Sequence, residues 1–168
     1  MSPNKATSRQ ISLTTKMKID NFDKAILRSL QENSRLKSDS IAIQVGLSAT
    51  ACQRRIKRLR DMGAIEREIA VINPDVSTHN LTLIVQLVIE RCDAKMLQTL
   101  TAQFLAEPEI QQCYNVTGAF DFLLIVTAEN MATYDSFTKR VFFDNPAIQE
   151  FTTTVVMENV KRGLELPI

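Results

Sequence analysis

Arg54, Arg55, Lys57, Arg58 and Arg60 place five cations within seven residues, more positive charge than a solvated helix face needs. At about 100° per residue, Cys52, Ile56 and Leu59 share an inner helical face. Thr50, Arg54, Lys57 and Arg58 then point outward, with Ala51 beside them and Gln53, Arg55 and Arg60 on the flanks. Such a row suits a duplex. The major groove admits one α-helix, in which an arginine bonds guanine through two donors and a threonine offers a hydroxyl or a methyl. Residues near the N-terminus of a groove-bound helix usually reach base edges, which makes Thr50, Ala51 and Arg54 the base-contact candidates. Ser48, Arg55, Lys57 and Arg58 are the phosphate candidates, joined by Ser38 and Ser40 at the start of the preceding helix. The expected partner is double-stranded DNA.

The elements that position this row are readable on either side of it. Asp20 opens a first helix with Asp23 as its capping partner, and Phe22, Ile26, Leu27 and Leu30 follow on one face. Ser38 is expected to cap a short second helix bearing Ile41, Ala42 and Val45. Gly46-Leu47 makes a tight turn, Ser48 caps the third helix, and Gly63 ends it near Met62. Helix, Gly-containing turn and helix over 38–62 have the length and spacing of a helix-turn-helix. Residues 64–72 (AIEREIAVI) return to a two-residue period and predict a strand stopped by Asn73-Pro74, a winged-type form.

The second half has another grammar. Residues 81–89 alternate as a strand with Leu81, Leu83, Val85, Leu87 and Ile89 on one face. Asp93 caps a helix with Leu97, Leu100 and Phe104 inward, ended by Pro108. Residues 110–116 and 121–128 are two more strands, Asn130 caps a helix with Tyr134, Phe137 and Val141 inward, and 148–157 is a fourth strand. The order βαββαβ is the ferredoxin-like arrangement: four antiparallel strands with two helices on one face. Ile84, Val88, Leu123 and Ile125 make the other face apolar too. That face is expected to meet its own copy, in a homodimer built sheet against sheet.

Several of these segments carry a resemblance. Ile19-Asp20 to Leu30, VGLS (45–48) and CQRRIKRLRDMGAIE (52–66) resemble the DNA-binding end of the Lrp/AsnC (feast/famine) transcriptional regulators. VTGAFDFLL (116–124) and VVMENVKRGLELPI (155–168) resemble that family's ligand-sensing domain, so the likeness covers about residues 18–168. It implies a dimeric or octameric regulator whose operator binding responds to an amino acid or related small molecule. In the family the effector sits between subunits near a Gly-x-x-Asp loop, which here is Gly118-Ala119-Phe120-Asp121, preceded by Thr117. The chemistry is sensible: backbone groups freed at Gly118 can meet a carboxylate, and Asp121 can receive an ammonium. Thr152 and Thr154 are further candidates, reaching the effector of a neighbouring subunit. Phe120 and Phe122 stand where the family often has tyrosines, and Ala49-Thr50-Ala51 lacks its early proline.

The expected organisation is therefore α+β. A flexible arm (1–17) precedes a helix-turn-helix domain (18–63), a strand and linker (64–80), and a sensing and oligomerisation domain (81–168). Charge follows the same division. The formal net charge of +1 over 168 residues conceals 14 Lys/Arg against 7 Asp/Glu in 1–73, and 6 against 12 in 74–168. The acidic half should be repelled by phosphate, which helps confine DNA contact to the N-terminal helices. An apolar fraction of 45% argues against disorder, and no apolar run approaches the roughly 18 residues of a membrane span. The first 17 residues lack an apolar signal core, and Cys52, Cys92 and Cys113 have no CxxC pairing. A reduced, cytoplasmic protein is expected. His79, the single histidine, gives a metal site or catalytic triad nothing to assemble from, and no Gly-rich phosphate loop is present, so no cofactor and no catalysis are expected. Two rivals stand: a small dimeric ferredoxin-like enzyme, and an amino-acid-sensing module that does not bind DNA.

Overall fold

The computed structural model describes residues 17–90 and 93–168. Apart from Met17, the expected arm lies outside the described residues, as does Cys92. The chain forms two compact units. Among the described residues, one holds Met17–Val71 together with Arg162–Ile168; the other holds Ile72–Lys161.

The N-terminal unit is three helices: α1 (Asn21–Glu32), α2 (Ser38–Val45) and α3 (Ala49–Asp61). Asp20 and Asp23 form a reciprocal capping box, Asp23 N–H donating to Asp20 Oδ1 at 2.8 Å and Asp20 N–H to Asp23 Oδ2 at 3.0 Å. Ser48 caps α3 by accepting the Ala51 N–H at 3.3 Å. Ser38 does not cap α2: Lys37 is the N-cap, without a side-chain bond, and Ser38 Oγ turns to Asp39 Oδ1 at 3.4 Å. Gly46 stands at φ 72° after α2, where a left-handed residue costs glycine nothing. Gly63 closes α3 in a Schellman arrangement, with Gly63 N–H on Arg60 O and Ala64 N–H on Leu59 O. Ile26, Leu30, Ile41, Ala42, Cys52, Ile56 and Leu59 make the core.

The strand expected over 64–72 does not form. Its alternation is real, but Ile69, Val71 and Ile72 are exposed and no described strand pairs with them. The N-terminal unit is a helix-turn-helix without a wing. A short 3₁₀ turn, Pro74–Val76, follows.

The second unit is β1 (Leu81–Ile89), α4 (Ala94–Ala106), β2 (Ile110–Asn115), β3 (Phe122–Ala128), α5 (Met131–Thr138) and β4 (Ile148–Val155). The sheet runs β2-β3-β1-β4 with antiparallel neighbours, the ferredoxin-like order. Asp93 caps α4 and Asn130 caps α5, both through side-chain oxygens. A π-turn, Lys139–Phe143, extends α5 and turns Val141 and Phe142 into the core. Leu83, Val85 and Leu87 of β1 and Phe122, Leu124 and Val126 of β3 pack with Leu100, Phe104 and Phe137 under the helices. The other face bears Ile84, paired with Ile125 on one side and Thr154 on the other, and Gln86, paired with Leu123 and Thr152. No described element covers it.

Arg162–Ile168 return to the first helix of the N-terminal unit. Gln31 Nε2 donates to Leu166 O at 3.0 Å, Leu166 N–H donates to Gln31 Oε1 at 2.7 Å, and Arg28 Nη1 donates to Ile168 O at 3.0 Å.

Candidate nucleic-acid interface and effector loop

Helix α3 is amphipathic in the way its spacing predicts. Cys52, Ile56 and Leu59 are buried against α1 and α2, while Thr50, Gln53, Arg54, Lys57, Arg58 and Arg60 are exposed and Ala51 is half-buried. An open groove of about 580 Å³ brings Ser38, Thr50, Gln53, Arg54, Lys57 and Arg60 together, with Leu30, Leu36 and Ile56 at its floor. Ser40 and Ser48 are exposed at the starts of α2 and α3, and neither lines the groove. Gln53 and Arg60 belong to the groove although their flanking angles did not mark them as contacts.

The five cations of α3 are not equivalent. Arg60 bonds Glu68 at 2.8 Å. Arg55 bonds Asp20 at 2.7 Å and Asp23 at 2.8 Å, and Arg58 also bonds Asp23. Arg54 and Lys57 have no ion-pair partner among the described residues. Burial of Asp23 opposes its ionisation, yet the Asp20 N–H and the Arg58 and Arg55 guanidinium groups win, and its carboxyl is held below its ordinary value. Asp20 is lowered chiefly by the Asp23 N–H and then by Arg55. A lowered carboxyl stabilises the fold above the unfolded value of 3.8 and loses that contribution as pH falls through the folded value. The sequence marked Asp23 only as a cap. The signal for its second role was present: acids three apart at 20 and 23 face bases three apart at 55 and 58.

In the second unit, Thr117, Gly118, Phe120 and Asp121 lie together in the β2–β3 hairpin. Thr117 and Gly118 are exposed, and Gly118 adopts φ 151°, which side-chain-bearing residues rarely do. Asp121 is committed to the fold. Its N–H donates to Leu87 O, its Oδ2 accepts the Ile89 N–H, and its C=O accepts the Val116 N–H, each at 2.8 Å. Removing the carboxylate orphans Ile89 N–H beside the register shift of β1. Asp121→Ala is therefore expected to cost about 1–3 kcal/mol and Asp121→Asn, which keeps an acceptor, under about 1 kcal/mol, read by urea unfolding. Thr152 and Thr154 are exposed on β4, separated from the hairpin's strands by β1, so one chain does not gather them with the loop.

Burial pushes the Cys113 thiol up to about 11 and raises that of Cys52, so both stay protonated at neutral pH. His79 is exposed.

Residues 19–60 match the AsnC-type helix-turn-helix domain, and residues 82–166 match the Lrp/AsnC ligand binding domain. An uncharacterized HTH-type transcriptional regulator of Sinorhizobium fredii is 41% identical over 96% of this chain and 95% of its own. An AsnC family transcriptional regulator from Agrobacterium tumefaciens superposes with a TM-score of 0.84 at 33% identity, over 89% of this chain and 97% of that one. A transcriptional regulator from Neisseria meningitidis, solved as a complex with L-Met, gives 0.84 at 27% identity, covering 89% and 97%. A helix-turn-helix with an exposed basic row, followed by a βαββαβ sheet in the expected order, thus has full-length counterparts, and the chain belongs to the Lrp/AsnC family of DNA-binding transcriptional regulators.

Proposed function

We propose that α3 lies in the major groove of an operator, with Thr50, Ala51 and Arg54 at base edges and Lys57, Ser38, Ser40 and Ser48 at phosphates. The observation that carries this reading is the pair Arg54 and Lys57: exposed, unpaired among the described residues, and one turn apart on the groove side of α3. The protein acts as a homodimer joined through the open sheet face, so that two recognition helices meet two half-sites. Dimers assemble further, towards an octamer, where the family's larger assemblies are reached. The protein works in the cytoplasm; no helix among the described residues is long and apolar enough to cross a membrane.

Operator binding responds to an amino acid held near Thr117, Gly118, Phe120 and Asp121, with Thr152 and Thr154 contributed by a neighbouring subunit. The L-Met complex of the Neisseria relative supports an amino acid as the ligand class. Asp121 Oδ1 accepts no described hydrogen bond and is the oxygen left for an ammonium. Half-buried Phe120 supplies apolar surface without a hydroxyl, which favours a ligand with an apolar side chain, whereas Phe122 is buried in the core against Phe104. A thermal-shift screen against the amino acids tests this. A ligand at 100 times its Kd raises stability by about 2.7 kcal/mol, and the hit should then change operator affinity in a gel shift. Absence of any shift across the set at millimolar concentration would remove the amino-acid effector. Absent or salt-independent duplex binding would favour the rivals, the module that does not bind DNA or the enzyme, and turnover of a hit would single out the enzyme.

A further inference from the structure

Arg55 stands on the recognition helix but is not available as a free cation. Its Nη1 donates to Asp20 Oδ2 at 2.7 Å and to Asp23 Oδ1 at 2.8 Å, and Arg58 Nη2 donates to the other Asp23 oxygen. Arg55 also lies over the Phe22 ring, 5.5 Å from its centre. Asp23 is 1% exposed, whereas Arg54 and Lys57, on the groove edge of the same helix, are exposed. One buried carboxylate of α1 therefore holds two successive turns of α3 by the edge away from the groove. A phosphate that drew Arg55 and Arg58 outward would leave that carboxylate charged, buried and unpaired. Uncompensated buried charge costs more than an exposed phosphate contact returns.

We propose that Asp23 is a positioning residue for DNA recognition: it fixes the rotation of α3 through Arg55 and Arg58 and withholds both guanidinium groups from the phosphates. This rests on the groove placement of α3, and it takes Arg55 and Arg58 out of the phosphate-contact set read from the sequence. It also bears on specificity. Cations held off the backbone add nothing to binding of random duplex, so discrimination depends on Arg54, Thr50 and their neighbours.

The test is duplex affinity against salt concentration for the full chain, with operator and random duplex. Each phosphate-neutralising cation contributes about 0.9 to the slope of log K on log salt. Lys57→Gln is expected to flatten the slope by about 1 per protomer, and Arg55→Gln to leave it unchanged. Asp23→Asn, which removes the buried charge that holds Arg58 and leaves Arg55 with Asp20 alone, should steepen the slope and lower operator-over-random discrimination by roughly tenfold, about 1.4 kcal/mol. A merely structural Asp23 would lower affinity at every salt with the slope unmoved. Equal flattening by Arg55→Gln and Lys57→Gln overturns the proposal, as does an Asp23→Asn protein of normal slope. Should either variant fail to fold, Asp20→Asn, with a half-exposed carboxylate, gives up one Arg55 bond, and an unchanged discrimination ratio then overturns it. No change with Lys57→Gln would instead sink the groove placement itself, so the two failures are distinguishable.

Discussion

An Arg54→Ala, Lys57→Ala double variant should lose operator affinity on the order of 10³-fold while keeping its fold. Arg54 is the base-edge candidate and Lys57 the phosphate candidate; a good bidentate base contact is worth about 1–3 kcal/mol, and a dimer loses two. Both side chains are exposed and neither has an ion-pair partner among the described residues, so their removal should change stability by no more than about 0.5 kcal/mol. The salt dependence carries independent information. Two lost Lys57 contacts should flatten the slope of log K on log salt by about 2 per dimer. Fluorescence anisotropy with a labelled operator at several salt concentrations reads both quantities, and full affinity in the double variant would remove α3 from the interface.

Ile125→Asp should convert a micromolar dimer into monomers and weaken operator binding with it. Ile125 pairs with Ile84 at the middle of the open sheet face, with Leu123 two residues away on the same strand. In a single chain this aspartate reaches water, so the monomer fold survives. Between two sheets it would be buried without a partner, a cost of several kcal/mol that raises the dimer dissociation constant by at least about 10²-fold. Weakened DNA binding follows because two linked recognition helices bind far more tightly than two free ones. Sedimentation at micromolar concentration checks the mass. A wild-type monomer, or a variant that remains dimeric, would show that this face meets something other than its own copy.

What the sequence disclosed, and what it did not, follows the range of the forces involved. Caps are local chemistry, and Asp20, Ser48, Asp93 and Asn130 each bond backbone amides two or three residues ahead, as their positions predicted. The order of the βαββαβ unit was legible for a related reason: periods of two and of 3.6 alternate cleanly between Leu81 and Val155. The prediction over 64–72 shows the limit of that signal. Alternation makes a segment competent to be a strand, but a ladder needs a second backbone, and Ile69 and Val71 have none among the described residues. The site divides similarly. The outward row of Thr50, Arg54 and Lys57 came from helical geometry alone, whereas the tie between Asp23 and Arg55 spans 32 positions and depends on how α1 crosses α3. Asp121 was visible as a hairpin residue and ammonium candidate; that it also anchors Ile89 depends on the register of β1 against β3.

The return of Arg162–Ile168 to α1 has a consequence for synthesis. Gln31 and Leu166 are 135 positions apart, so at ribosomal rates of about 5–20 residues per second α1 waits roughly 7–27 seconds for this contact. The three helices can condense first around Ile26, Ile56 and Leu59, which all lie within the first 59 residues made. The strip of α1 around Arg28 and Gln31 is finished only after the sheet domain has been made. The nascent recognition domain and the mature one thus differ in one surface, although every residue of the three helices is already in place.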